Sequence, residues 1–120
     1  MRNGFLATLT VFVIAGVIGG CASTSNTGTR VLGKGDYERA ASLYRERLQK
    51  APDKAELWRG LGIAYYQLDS LDAASQAFDK ATQLSPNDAS SAFYRGMIAE
   101  RKGNLDGARE NYRKYLSMSG

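Results

Sequence analysis

The chain has 120 residues, room for one domain, with 16 lysines and arginines against 12 carboxylates and no histidine. The missing imidazole removes the commonest general base and the commonest metal ligand. One cysteine excludes an internal disulfide framework.

Residues 1–20 differ from the rest. Arg2 is the only charged side chain before Arg30, and Phe5 to Ile18 is an almost unbroken apolar run. A basic start, a short apolar stretch and small residues at its end predict a cleaved secretory signal peptide over 1–20. A permanent transmembrane helix would want roughly 20 apolar residues. This run is shorter, and Thr8, Thr10, Gly16, Gly19 and Gly20 dilute it.

Cys21 follows at once. It is either a free thiol that happens to fall there or part of a processing signal. Ile18-Gly19-Gly20-Cys21 resembles the bacterial lipobox, placed at the end of the apolar run in a chain with no other cysteine. That resemblance implies lipidation of the Cys21 thiol and its conversion to the first residue. One acyl chain binds a bilayer only marginally, whereas the two or three chains of such lipoproteins anchor stably. Ala22 stands where aspartate can signal retention in the inner membrane, so the resemblance implies an outer-membrane anchor facing the periplasm. Residues 21–33 read as the lipidated cysteine and a flexible tether, polar and without an apolar period. A flexible dozen residues spans roughly 20 Å.

From residue 34 the sequence repeats at a shift of 34. Gly35, Asp69 and Gly103 share a column, as do Tyr37, Leu71 and Leu105. Ala40, Ala74 and Ala108 share another, and the aromatics Tyr44, Phe78 and Tyr112 a fourth; Gly62 recurs as Gly96 and Pro52 as Pro86. A repeat of this length predicts a stacked solenoid in which each unit buries its apolar face on a neighbour. Helical spacing in the chain predicts, in order, a helix over 36–49 and helix pairs near 54–68 with 71–84 and 89–102 with 105–117. Asp53 with Glu56 predicts a capping box that starts a helix near Lys54, and Asn87 or Asp88 can cap the next first helix. Pro52 and Pro86 close the units, because proline cannot continue the preceding ladder.

Here the chain resembles the tetratricopeptide-repeat family. Residues 55–88 carry its signature positions: Trp58, Leu61, Gly62, Tyr65, Ala74, Phe78, Ala81 and Pro86. The resemblance implies an all-α helix-turn-helix solenoid of about two and a half repeats with antiparallel helix pairs. Residues 34–54 are a half repeat, 55–88 a full repeat and 89–120 a second one. The last departs from the pattern, with Ala92, Arg95 and Ala99 in the Trp58, Leu61 and Tyr65 columns. Its final helix, with Tyr112, Tyr115 and Leu116, either leaves an apolar face for a partner or second copy, or leaves it simply exposed.

Catalytic chemistry finds no foothold: no glycine loop cradles phosphate and no catalytic motif matches. The chain is read as no enzyme and without a cofactor or metal site. Residues 89–120 hold six basic side chains against three acidic ones. A solvated face accounts for that excess more simply than anionic lipid or an acidic partner does. Nucleic acid is excluded as a partner for an exported, tethered domain.

The family resemblance also implies a concave groove lined by the first helices, taking a peptide or helix. Mapped here, it contains an apolar strip of Ile63, Tyr66, Phe93 and Met97, edged by Arg59 and Arg101. Either the strip meets a protein segment, or Phe93 and Met97 are buried between units; the strip as a whole is read as a groove. Trp58, Tyr65 and Phe78 are read as structural. The functional expectation is a non-catalytic lipoprotein adaptor of the bacterial envelope, in assembly of a pilus, secretion or cell-wall complex. The alternative is a structural lipoprotein that self-associates.

Overall fold

Gly33 opens the part of the chain that the structure, a computed structural model, describes: residues 33–120. The predicted signal peptide, Cys21 and the tether up to residue 32 lie outside the described residues.

Five helices follow with no strand among the described residues. Helix α1 spans Lys34–Lys50, α2 Ala55–Gln67, α3 Leu71–Leu84, α4 Ala89–Arg101 and α5 Leu105–Ser119. The repeat-derived boundaries all hold within two residues, and α1 starts two residues early. Its first turn occupies the positions that form the inter-helix turns of the later repeats. The Asp36 carboxylate accepts from the Gly33 backbone N–H at 3.0 Å, which caps that earlier start.

One capping expectation fails. The residue at the cap of α2 is Lys54, with no side-chain hydrogen bond, so Asp53 and Glu56 form no capping box. Asp53 lies one position too early for its carboxylate to meet the orphan amides. The entry is fixed instead by Trp58, whose indole N–H donates to the Pro52 carbonyl at 2.8 Å. At α4 the expected cap forms: the Asp88 carboxylate accepts from the Ser91 amide at 3.4 Å and from the Ser91 hydroxyl at 2.8 Å. Asn104 caps α5 through the Gly107 amide.

The two turns inside the helix pairs share one backbone device. Asp69 has φ of 61° and its column mate Gly103 has 79°, both left-handed. Glycine enters that region without cost, and aspartate is among the few residues that tolerate it.

Each helix pairs with the next, α2 with α3 and α4 with α5, while α1 rests on α2 and α3 on α4. The first helices α2 and α4 also touch, whereas the Cα atoms of α1 and α3 nowhere approach within 8 Å. One core cluster joins Ala41 and Leu48 of α1 to Leu61 and Ala64 of α2 and Ala77 of α3. A second joins Ala74 and Phe78 of α3 to Ile98 of α4. Phe78 is fully buried, which contributes about 1.5–3 kcal/mol. Its ring lies where a Cβ on Gly62 would sit, 2.9 Å away. Gly62 is therefore a close-approach residue. The solenoid of antiparallel pairs is the architecture that the 34-residue period predicts.

Candidate functional site

Besides the exposed Leu105 and Leu116 of α5, two faces of the solenoid carry apolar surface, one built mainly by the first helices and one between the second helices.

On the first-helix face the expected strip is only partly contiguous. Ile63 is half-buried and turned against the Ala74–Phe78–Ile98 cluster. Tyr66 and Phe93 do not meet directly; Tyr94 joins them. Its ring lies edge-on to Tyr66 at 5.4 Å, stacks on Phe78 at 5.2 Å and contacts Phe93 at 6.0 Å. Phe93 continues the ladder to Tyr112 at 5.9 Å and Tyr115 at 5.2 Å. Phe93 keeps 38% of its surface exposed, and Met97, one turn further, is half-buried. Such ring pairs add about 0.5–1.5 kcal/mol beyond area burial. Tyr94 and Tyr115 were absent from the sequence-derived strip. Tyr94 stands beside Phe93 and one turn before Met97 on α4, and Tyr115 lies on α5, so the sequence shows the rings but not which neighbour each reaches.

The two edging arginines are engaged within the chain. Arg59 meets the nearly buried Asp88 carboxylate at 3.2 Å, so it joins the first repeat to the α4 cap. Arg101 pairs with Asp69 of the preceding turn and sits 5.3 Å over the Tyr66 ring. Both still expose part of their side chains. Lys102 pairs with Asp72 alongside, holding that carboxyl below its ordinary range through hydrogen bonding and charge. Glu110 is lowered in the same way by Lys114. The Tyr112 hydroxyl donates to Glu100 at 2.9 Å. Partial burial first, then this bond and the Glu100 charge, push its phenol up to about 12.

Between the second helices α1 and α3 lies a cleft of about 670 Å³, floored by Trp58, Leu61 and Tyr65 of α2. Leu48 and Ala77 line its walls, and Arg45, Gln76 and Lys80 stand on its rim. The sequence reading assigned Trp58 and Tyr65 to structure and Leu61 to the repeat signature. They do pack on α1 and Ala77, yet the same side chains also face this opening. Of the remaining signature residues, Ala74 and Ala81 are fully buried, and Pro86 is exposed in the turn after α3.

Among the described residues no three histidine, cysteine or acidic side chains come together as a metal site. None of the described helices is long and apolar enough to cross a membrane. The surfaces can bind by apolar contact, ring stacking and ion pairing.

Comparison with known proteins agrees with the repeat. A tetratricopeptide repeat family model matches residues 31–95, and a second matches residues 74–119. A TPR repeat-containing protein of Methanocaldococcus jannaschii is 30% identical over 74 residues, covering 62% of this chain and 13% of that protein. MamA from Desulfovibrio magneticus superposes with a TM-score of 0.65 at 25% identity, covering 69% of this chain and 47% of that one. The second TPR of Spaghetti (RPAP3), solved with an HSP90 peptide bound, superposes with a TM-score of 0.68 at 23% identity. There 70% of this chain and 78% of that one are covered.

Proposed function

Because the chain belongs to the tetratricopeptide repeat family, we propose that it is a non-catalytic adaptor that takes a protein segment on its first-helix face. In this reading it is a bacterial lipoprotein moored by acyl chains on Cys21. It serves assembly of a pilus, secretion or cell-wall complex in the envelope.

The observation that carries the binding face is the aromatic ladder from Tyr66 through Tyr94 to Phe93 and Tyr115, open at Phe93. An apolar row of this kind suits an amphipathic helix or extended segment, with Arg59 and Arg101 at its edge already paired to Asp88 and Asp69. The lipidation and the envelope setting rest on Ile18-Gly19-Gly20-Cys21 and the apolar run before it. Choice of the assembly pathway rests on likeness to small envelope lipoproteins of this repeat class, an argument from kind rather than from geometry.

The test uses Phe93→Glu with Met97→Glu. Ile63 is spared, since it supports the core around Phe78. In crosslinked recovery from envelopes, the pair should lose the partner that the parent chain captures, with helical circular dichroism unchanged. Equal recovery by both chains would remove the first-helix face from binding. Intact-mass measurement of membrane-extracted protein should show an acylated Cys21, and an unmodified thiol would remove the anchor.

A further inference from the structure

We propose that the α1–α3 cleft, whose lining shares no residue with the first-helix ladder, is a second, independent docking site for a short peptide segment pairing apolar side chains with carboxylates.

Size comes first. Its volume of about 670 Å³ lies within the ~300–1,000 Å³ typical of formed ligand sites. It exists because α1 and α3 stand apart over α2.

Chemistry distinguishes it from a gap that any such solenoid would leave. One repeat later, Ala92, Arg95 and Ala99 occupy the columns of Trp58, Leu61 and Tyr65. Asp79 there stands in the column of Arg45 and pairs with Arg95 at 3.2 Å. That later position is therefore floored by small and charged side chains and closed by an ion pair, while the first is floored by aromatic rings, with Arg45 held only by hydroxyls. A spacing fixed by the repeat would treat both alike; these side chains do not.

The floor is ready for apolar contact. The Trp58 indole N–H is already satisfied by Pro52, and the Tyr65 hydroxyl accepts from Arg45 at 3.0 Å. A guest can cover the indole without stranding its donor, while the Tyr65 O–H is left to donate to an acceptor of the guest.

Charge selects the guest. Asp79 at the rim is neutralised by Arg95. Arg45 bonds only to the hydroxyls of Tyr65 and Ser42, and neither it nor Lys80 has an ion-pair partner among the described residues. The rim thus offers two cations without counter-charge above an apolar floor. An acidic–apolar peptide complements both features, and a basic one meets like charge.

Trp58 is the chain's one tryptophan, so its fluorescence reports this cleft directly. The full chain, held in neutral phosphatidylcholine nanodiscs, is titrated with blocked pentapeptides of leucine and phenylalanine flanked by glutamates or by lysines. Dodecanoate serves as a non-peptide anionic amphiphile. The acidic peptide should give a saturable change, at least ~10-fold tighter than its basic twin, and weaken with added salt. Lys80→Glu, a change at an exposed side chain with no partner, should weaken it by ~5-fold or more. Ala73→Phe, which fills the rim, should do likewise. Phe93→Glu with Met97→Glu should leave this titration untouched, which separates the cleft from the first-helix face. Equal binding of acidic and basic peptides, a response to dodecanoate alone, or no saturable response to the acidic peptide would each overturn the proposal. So would a response lost in the Phe93 and Met97 pair but kept in Lys80→Glu.

Discussion

Tyr112 shows how one side chain reports on its setting. Its column mate Phe78 is fully buried beneath the neighbouring repeat, but no following first helix covers Tyr112 among the described residues. A phenol replaces the phenyl ring, and its hydroxyl finds Glu100. Folding holds that phenol protonated to about 12, against an ordinary 10.0. Its contribution to stability is therefore complete below pH 10 and lost as pH rises through 12. Chemical unfolding of the parent chain should show a steeper fall across that window than Tyr112→Phe, with the two curves running parallel below pH 10. Curves that stay parallel through the window as well would mean that Glu100 and burial do not act on this hydroxyl. The aromatic column itself was legible in the sequence, since Tyr44, Phe78 and Tyr112 recur at one spacing. Their different fates were not, because burial depends on whether a further helix exists to cover each one.

Helix boundaries were almost fully legible, because periodic apolar positions and prolines both mark them. Caps were less so. Asp53 and Asp88 look alike in sequence, each just after a proline, yet only Asp88 reaches the amide three residues on. The one-residue difference in distance from proline decides it. Asp88 does more than cap α4: it also holds the Ser91 hydroxyl, which is fully buried, and the Arg59 guanidinium. Asp88→Ala should therefore cost about 2–3 kcal/mol in urea unfolding, a lost cap plus a buried hydroxyl without its partner. Asp88→Asn keeps an acceptor for the amide and should cost about 1 kcal/mol or less. An alanine variant as stable as the asparagine variant would reduce Asp88 to an exposed cap. The apolar faces were similarly legible as patterns but not as occupied surfaces. Leu43 is 47% exposed on α1 whereas Ala77, in the same column on α3, is 3% exposed, since α3 has a first helix of its own pair and α1 has none among the described residues. The second-helix cleft was missed for a related reason. Its floor residues are structural signature positions, and sequence alone gives no hint that one side of them stays open.

The whole described unit is a row of helices in which contacts run to neighbours and next neighbours only. Stability in such a row is close to a sum of local terms and interface terms, so its ends open more easily than its middle. Helix α3 holds the deepest side chains, Ala74, Phe78 and Ala81, all without exposed surface. It rests on first helices from both repeats, α2 and α4. At the far end α5 has one buried residue, Ala108, and two leucines, Leu105 and Leu116, about two-thirds exposed. At the near end α1 buries Ala41 and Leu48 mainly against α2, in a cluster to which α3 adds Ala77. Amide hydrogen exchange followed by mass spectrometry should then show protection greatest in α3, intermediate in α2 and α4, and least in α5. The α5 amides should exchange at low denaturant while those of α3 exchange only near the unfolding midpoint. An occupied α1–α3 cleft should raise protection in α1 selectively, because a guest there supplies the contact that α1 and α3 do not make with each other. Uniform protection across the five helices would show that the row unfolds as one unit, with its interfaces stronger than the burial pattern indicates. A graded result means that whichever protein covers an end or fills the cleft also sets how much of the solenoid is folded. Binding and folding would then be linked at the margins of the domain, where its apolar surface is least covered.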